Sequence, residues 1–377
     1  MTIPSKIWHR VTALSARTPS AESQFLPGGM AENSPTFQRW VRSHNKSKVP
    51  KGTTEAALLL IAGLCLSANA ADAPPLLSQT IPLPGVKGRF DHFAMDAQRR
   101  LLFVAALGND TLEVIDLAAG KRLQSVAGMS KPQGVLSITD RGLILVANGD
   151  DGTLKVLDAT DFKLKQNLPN LPDADNVRLD SHSGNAWVGY GDGALAEITP
   201  ASAHLTATVK LPGHPESFQL EKNGPRIFVN VPDAKQIAVV DAAKKEIVAH
   251  WPMEKFQANF PMALDESHHR LFIGCRKPAR LVIFDTEAGK SISDLPISGD
   301  TDDLFYDSKR SRIYISCGEG AIDVVAQNSA DSYTPLAKVR SSPGARTCYF
   351  SPDFDRLYLA VPARGNQQAE IRVYNCH

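Results

Sequence analysis

From residue 71 onward, the hydrophobic positions of the chain form short runs separated by turns, with no long helical period. Seven of these runs share one pattern, in which apolar residues are followed by a polar residue and a turn. They read LEVIDLAAGK from Leu112, LKVLDATDFK from Leu154, LAEITPASAH from Leu195, IAVVDAAKKE from Ile237, LVIFDTEAGK from Leu281, IDVVAQNSAD from Ile322 and IRVYNCH from Ile371. Successive copies begin 42, 41, 42, 44, 41 and 49 residues apart. This period is typical of a propeller blade made of four short strands.

A second apolar run precedes the first in every copy. These runs begin at Leu102, Ile144, Ala186, Ile227, Leu271, Ile313 and Leu357. Turns rich in Gly, Asp, Asn or Pro separate the two runs of each copy, as a hairpin requires. The sequence therefore predicts an all-β fold, a single seven-bladed β-propeller over residues 76–377.

The seventh copy ends at His377, soon after its third strand, and so lacks an outer strand. Residues 78–85, SQTIPLPG, closely match the outer-strand sequence TATVKLPG at residues 206–213 of the third copy. Pairing the N-terminal strand with the last blade would close the ring and remove an exposed sheet edge. We therefore expect the N-terminal strand to complete the seventh blade.

In these repeats the chain resembles the exported YVTN-repeat, YncE-like propeller family, whose repeats read roughly YVAN, a turn, V-x-V-I-D and a T-G-K turn. Residues 145–148, LVAN, are nearest to the tetrapeptide, whereas Thr199, Ala326 and Asn375 replace the aspartate of the second motif. The resemblance covers about residues 76–377. It implies a propeller architecture and export, but no particular activity, because the family is known chiefly by its architecture.

The segment before the repeats has the features of an export signal. Residues 56–68, AALLLIAGLCLSA, form an apolar run too short to span a bilayer comfortably, and Ala68-Asn69-Ala70 is an A-x-A cleavage signature. Lys46, Lys48 and Lys51 supply positive charge before it. We expect a signal peptide at 51–70, a periplasmic or extracellular location and no membrane span after cleavage. The alternative, a buried core helix, lacks an amphipathic period.

Residues 1–50 form a polar extension rich in Ser, Pro and Arg, which a signal peptide rarely carries. A mis-assigned start, with initiation at Val49, would explain this extension.

The net charge of +1 hides an uneven distribution. Residues 1–70 hold 8 Lys/Arg and 3 Asp/Glu, so that 33 of the 41 basic and 37 of the 40 acidic residues lie beyond them. The propeller region is therefore near −4 and offers no broad basic field for a phosphate backbone, which argues against nucleic-acid binding.

The loops that enter the innermost strands of a propeller gather around one end of the central channel, where ligands bind. Counting back from the aligned strands puts seven residues at one equivalent position: Asp91, Gln133, Asp175, Glu216, Phe260, Asp302 and Arg346. The next position holds His92, Gly134, Asn176, Ser217, Pro261, Asp303 and Thr347. We expect the ligand-binding residues to be Asp91, His92, Asp175, Asn176, Glu216, Asp302, Asp303 and Arg346. His214 and Asn259 lie nearby in sequence.

Three interpretations of this acidic ring stay open. Carboxylates with an imidazole could hold a divalent metal ion, with Asp91, His92, Asp175, Glu216 and Asp302 as ligands. A crowded carboxylate with a raised pKa could instead act as a general base, while Arg346 holds an anionic substrate. The third interpretation is a solvated acidic mouth without a ligand.

Other candidate features have simpler explanations. Asp116, Asp158, Asp241 and Asp285 recur where a strand meets a turn, and there an aspartate accepts backbone N–H bonds. Solvated loop charge accounts for Lys131, Arg276, Lys277, Arg280 and Arg364, which could otherwise bind an acidic partner. Phe90, Phe256 and Phe260 form an aromatic lip or pack between loops. In an oxidising compartment a Cys317–Cys348 disulfide is conceivable.

Two functions follow from these observations. The first is a ligand-binding or scaffolding protein of the cell envelope that holds a small molecule or a peptide at the channel mouth. The second is a metal-assisted hydrolase such as a lactonase, which would use the acidic residues of the mouth. The sequence holds no G-x-S-x-G, Gly-rich phosphate loop, H-E-x-x-H or C-x-x-C-H motif, so several common enzyme classes and covalent haem attachment lack support.

Overall fold

The structure, a computed structural model, describes residues 73–377, which form seven four-stranded antiparallel sheets arranged as the blades of a β-propeller. Blades 1 to 6 each take four consecutive strands, from the innermost to the outermost. Blade 7 combines β26 (Cys348–Ser351), β27 (Arg356–Val361) and β28 (Glu370–Asn375) with β1 (Leu76–Pro82) as its outer strand. The predicted all-β propeller and its ring closure are thus confirmed.

The strands of the first four blades are β2 (Phe93–Asp96), β3 (Leu101–Ala106), β4 (Thr111–Asp116), β5 (Lys121–Val126), β6 (Pro132–Ile138), β7 (Leu143–Asn148), β8 (Thr153–Asp158), β9 (Leu164–Leu168), β10 (Val177–Leu179), β11 (Ala186–Tyr190), β12 (Ala194–Thr199), β13 (His204–Lys210), β14 (Phe218–Leu220), β15 (Arg226–Val231), β16 (Gln236–Asp241) and β17 (Glu246–Pro252). The remaining strands are β18 (Gln257–Asp265), β19 (Arg270–Lys277), β20 (Ala279–Asp285), β21 (Lys290–Pro296), β22 (Thr301–Asp307), β23 (Arg312–Cys317), β24 (Ala321–Ser329), β25 (Ser332–Arg340), β26 (Cys348–Ser351), β27 (Arg356–Val361), β28 (Glu370–Asn375) and β1 (Leu76–Pro82).

Short 3-10 turns at Leu107–Asn109, Thr139–Arg141 and Glu266–His268 are the helical elements of the described residues. No helix within 73–377 has the length and hydrophobicity needed to cross a bilayer.

The ring closes through β1, which pairs antiparallel with β28 from Leu76 opposite Asn375 to Pro82 opposite Glu370. Ile81 and Leu83 are fully buried against residues of blades 1 and 7. The closing strand therefore begins two residues earlier than the segment 78–85 on which the prediction rested, and it ends before Gly85.

Seven hydrophobic clusters hold the ring together, one between each pair of neighbouring blades. Within β3, Leu102 and Val104 pack toward blade 7, whereas Phe103 and Ala105 pack toward blade 2. A second strand buried on both faces has no polar side, which explains the unbroken apolar runs in the sequence. Apolar area buried on both faces of every blade is the main stabilising contribution.

The recurring aspartates at the ends of the third strands have the predicted local role. Asp116 accepts backbone N–H bonds from Ala118 and Ala119, each at 2.9 Å. Asp158, Asp241 and Asp285 accept equivalent bonds in their own blades. These side chains satisfy the backbone of the tight turns to β5, β9, β17 and β21.

The turns define the two faces of the ring. We call the mouth face the side where loops enter the innermost strands and where second strands turn into third strands. The far face carries the turns between first and second strands and between third and fourth strands.

Candidate functional site

Backbone hydrogen bonds fix the residues that enter the innermost strands. In blade 1 the Asp91 N–H donates to Ala105 O at 2.8 Å, and the Ala105 N–H donates to His92 O at 3.0 Å. The same pair of bonds holds the entries of blades 3 and 4. Anchoring the backbone just before each first strand directs the side chains of these residues into the mouth.

The mouth of the channel is a polar cavity of about 290 Å³. All seven residues of the predicted ring line it: Asp91, Gln133, Asp175, Glu216, Phe260, Asp302 and Arg346. His92, Asn176, Ser217, His214, Asp173, Arg89 and Arg276 complete the lining. The structure thus brings together every ligand-binding residue predicted from the sequence except Asp303, which lies just below the cavity in contact with His92. Asn259 is buried and bonds to Asn230.

His92 reaches across the channel between two distant blades. Its Nδ1 lies 3.1 Å from Asp303 Oδ1 of blade 6, and its Nε2 lies 3.0 Å from the amide nitrogen of Asn176 in blade 3. A doubly protonated imidazole donates through both nitrogens, so Nε2 needs an acceptor. The Asn176 amide oxygen is a buried atom with no hydrogen-bond partner among the described residues. Rotating this amide by a half-turn would place the oxygen opposite Nε2. His92 therefore links blade 1 to blades 3 and 6 across the channel.

The pKa of His92 reflects two opposing effects. Burial on its own lowers it, but the charges of Asp303 and Asp91 and the hydrogen bond to Asp303 raise the pKa to about 10. The imidazole is therefore protonated at neutral pH and neutralises Asp303.

Two arginines hold the opposite wall. The Arg346 Nε lies 2.9 Å from Asp302 Oδ2, and its Nη1 donates to Asp300 at 2.9 Å. Arg276 also pairs with Asp302 and lies over the Phe260 ring, 3.9 Å from its centroid. Both guanidinium groups thus form ion pairs with carboxylates. Burial raises the pKa of Asp302, although the charges of both arginines lower it.

The remaining acids are crowded. Burial raises the pKa of Asp91 to about 7 against the effect of His92, and burial together with Asp175 and Asp302 raises the pKa of Glu216 to about 8. No hydrogen bond or ion pair to the Glu216 carboxyl forms within residues 73–377. His214 Nδ1 donates to Gly191 O, 2.7 Å away, and its Nε2 lies 3.9 Å from Asp175 Oδ2. Burial lowers its pKa, but Asp175 and Gly191 raise it to about 9.

The metal site proposed from the sequence has competing protein contacts. His92 is in contact with Asp303 and Asn176, and Asp302 is held by two arginines. Within residues 73–377, no three His, Cys, Asp or Glu side chains are grouped as metal-ion ligands. Binding of a divalent metal by Asp91, His92, Asp175, Glu216 and Asp302 would require these pairs to rearrange, and it stays a prediction.

The other candidate features are mostly structural. Phe90 and Phe256 are 4% exposed and pack in the clusters between blades, so only Phe260 belongs to the lip. Lys131 pairs with Asp150, and Arg280 pairs with Asp294. The four described cysteines, Cys275, Cys317, Cys348 and Cys376, are buried free thiols, so the conceivable Cys317–Cys348 bridge is absent.

Sequence reasoning missed the acids that precede the ring, Asp173 and Asp300. Each lies two residues before an aspartate of the ring, Asp175 or Asp302. That repeated spacing was the available signal. Asp300 pairs with Arg346, and Asp173 accepts from Gln133 at 3.2 Å.

Solved structures with the same fold are distant in sequence. A chain of Kuenenia stuttgartiensis hydrazine synthase superposes with a TM-score of 0.67 at 16% identity, covering 77% of this chain and 98% of that one. A chain of a mitotic checkpoint complex gives a TM-score of 0.68 at 13% identity, covering 80% and 92%. No protein-family model matches the chain, and no curated protein matches it in sequence. At these identities the comparisons show that the chain is a β-propeller, and they show its fold alone.

Proposed function

We propose that this protein is an exported, YncE-like β-propeller of the cell envelope that binds a small ligand with a positively charged group at the mouth of its channel. Export rests on the segment 51–70, which lies outside the described residues. The kinship with the YncE-like family rests on the repeat pattern. The propeller fold is consistent with a ligand-binding or scaffolding role.

One observation supports the ligand class above all others. The Glu216 carboxyl lines the mouth without a partner among residues 73–377, in the field of Asp175 and Asp302. The cations of the mouth each lie beside another carboxylate. Arg276 and Arg346 hold Asp302, and His92 holds Asp303. Arg89 lies 3.6 Å from Asp91, and His214 lies 3.9 Å from Asp175. A cation that enters the mouth would therefore find carboxyl groups to neutralise it.

The raised pKa values give this binding a pH dependence. Asp91 and Glu216, with pKa values of about 7 and 8, carry protons for part of the time at neutral pH. A cation favours their ionised forms, so its binding releases protons and strengthens as the pH rises from about 6 to 9. An uncharged ligand of the same size would show no such dependence.

Calorimetric titration with small amines, such as spermidine, and with Ca²⁺ and Zn²⁺ tests the proposal. We expect at least one of these cations to bind, with proton release measured in two buffers of different ionisation enthalpy. Glu216→Gln should weaken binding by about tenfold or more, since a charge-assisted contact is lost. The matched control Glu246→Gln removes an exposed carboxylate from β17 and should leave affinity unchanged.

Failure of every cation to bind between pH 6 and 9, or equal binding by Glu216→Gln, would overturn the proposed ligand class. Preferential binding of Ca²⁺ or Zn²⁺ over the amines would support the metal interpretation of the mouth.

Metal-assisted hydrolysis, for example of a lactone, is the second candidate function, and Asp91 favours it. A carboxyl group with a pKa of about 7 suits a general base at neutral pH. We expect any such activity to need an added divalent metal and to be lost in Asp91→Asn. Turnover of chromogenic lactones and esters, measured with and without metal, separates this function from binding alone.

A further inference from the structure

Below His92 the channel widens into a second cavity of about 730 Å³. It opens at the far face between exposed turn residues of several blades, among them Lys222, Asn223, Ser267 and Ser308. His92 lines both this cavity and the mouth. We call the lower cavity the channel cavity, and its lining differs in kind from that of the mouth.

The repeat allows the lining to be compared blade by blade. Three residues after each ring residue, the seven inner strands present Ala94, Leu136, Arg178, Gln219, Ala263, Phe305 and Tyr349. All seven line the channel cavity. Arg178 is the one charged member of this layer, and the other six are apolar, aromatic or amide side chains.

Arg178 has few partners for a guanidinium group. Its hydrogen bond within the described chain runs from Nη1 to the adjacent Val177 O at 3.0 Å, and its Cζ lies 5.9 Å from the Phe218 ring centroid. A guanidinium carries five N–H donors, so most of them remain for another acceptor. Burial lowers the pKa of Arg178, as expected for a cation removed from water, although Asp303 and Asp175 oppose this effect.

The carboxylates that could neutralise Arg178 each have a closer cation. Asp303 lies 3.1 Å from the protonated His92. Asp175 lies 3.8 Å from His92 and 3.9 Å from His214. No ion pair joins Arg178 to a carboxylate within residues 73–377. Asp265, Glu266 and Asp307 also line the channel cavity, but Asp265 pairs with His268, Asp307 pairs with Arg310, and Glu266 accepts from the backbone of Lys222 and Asn223. Arg178 therefore forms no direct ion pair among the described residues.

The same cavity holds a hydroxyl without a partner and a large apolar surface. Ser137 lines it, and its Oγ is a buried atom that forms no hydrogen bond with the described residues. Phe305 and Tyr349 lie edge to face, with ring centroids 5.5 Å apart, along its wall. A cavity of this size exceeds what a bare inorganic ion fills, and its aromatic wall suits a ring.

We propose that the channel cavity binds a small organic oxyanion, with its carboxylate or phosphate on Arg178 and an aromatic or apolar body against Phe305 and Tyr349. The paired oxygens of a carboxylate or a phosphate match the fork of donors that a guanidinium presents. This site is separate from the cation site proposed at the mouth and does not depend on it.

Calorimetric titration of the purified protein with phenyl phosphate and with benzoate tests the site. We expect one of the two to bind, and which of them binds distinguishes phosphate from carboxylate recognition. Arg178→Gln should weaken this binding by about tenfold or more, because a charge-assisted contact is removed. Arg178→Lys keeps the charge and should retain a weaker affinity. Benzylammonium, which has the same ring and the opposite charge, should not compete.

Two controls keep the result specific. Arg280→Gln removes an arginine that pairs with Asp294 outside the channel cavity, and it should bind the anion as the parent protein does. Glu216→Gln should also leave anion binding intact, so loss of the mouth site does not imitate loss of this one. Binding of neither anion, or equal binding by the parent and Arg178→Gln with unchanged melting temperatures, would overturn the proposal.

Discussion

At the mouth, burial raises the pKa of Glu216 but lowers that of His92. Burial and the charges of Asp175 and Asp302 raise the pKa of Glu216 to about 8, because the charge of His214 offsets only part of their effect. His92 loses hydration too, but Asp303 at 3.1 Å outweighs the loss and raises its pKa to about 10. Neutral carboxyl groups and a charged imidazole thus coexist in the same cavity at neutral pH.

The folded state should lose stability as the pH rises, because both groups bind protons more tightly when folded. For Glu216 the loss runs from its unfolded pKa near 4.5 to about 8, and for His92 from 6.5 to about 10. Glu216→Gln removes the first contribution. The free energy of unfolding of the variant minus that of the parent should therefore increase by about 1–3 kcal/mol when the pH is raised from 5 to 8.5.

Urea unfolding at those two pH values measures this gain. Glu246→Gln, which changes an exposed carboxylate, should follow the parent at both values. A stability difference that is constant with pH would show that Glu216 ionises normally in the folded protein.

The convergence of the ring residues could be predicted because the blade period carries one backbone geometry around the ring. The partners of His92 could not, since Asp303 and Asn176 come from the sixth and third blades and only side-chain conformations bring them to it. Arg178 was missed for a different reason. It lies three residues after Asp175 on β10, and no other charged residue occupies the equivalent position in the other six blades.

At the scale of elements, the strands are held by burial on both faces and by their place in the ring. The hairpins of each blade could be predicted, because apolar runs alternate with turn residues. The irregularity of β18 could not. Its register shifts between Asn259 and Met262, with Ala258 at a φ of +53°, and no local sequence rule marks this change. Phe260 and Pro261 lie within it and still reach the ring positions.

Ring closure by β1 should dominate the stability of the seventh blade. Ile81 is fully buried between blades 7 and 1, so Ile81→Ala should cost about 2–5 kcal/mol through lost burial and an unfilled cavity. Leu77→Ala alters a side chain that is 54% exposed on the same strand and should cost far less.

Thermal unfolding of both variants gives the comparison. Similar small losses for Ile81→Ala and Leu77→Ala would mean that β1 contributes little to holding the ring together.

At the scale of the whole molecule, seven equivalent blades contribute unequal chemistry to one channel. The mouth gathers carboxyl groups, histidines and paired arginines. The channel cavity combines Arg178 and an aromatic wall with carboxylates that have partners elsewhere in the chain. The sequence predicted the architecture and the place of the mouth. It could not predict a cavity below the mouth, because that volume depends on how all seven inner strands pack around it.

The proposed export predicts the first residue of the mature chain. Cleavage after Ala70 would leave Ala71 as the first residue and would remove Cys65 with the signal peptide. We therefore expect N-terminal sequencing of the native protein to begin at Ala71 and thiol titration after unfolding to count four cysteines. The folded protein should react slowly, because burial raises the pKa of Cys275 to about 12 and of Cys376 to about 11. A mature protein that retains residues 1–50 or a fifth thiol would contradict export by this signal.

The last strand of the ring ends at the far face, where Arg312 donates to the carbonyl oxygens of Ala73 and His377, each at 3.0 Å. Immobilising the protein through His377 on a sensor surface would therefore turn the channel cavity toward the support and leave the mouth toward the solution. Cation binding should then be the same on the surface and in free solution, whereas association of an organic anion should slow on the surface. The position of His377 thus offers a way to assign each ligand to an entrance without any substitution in the chain.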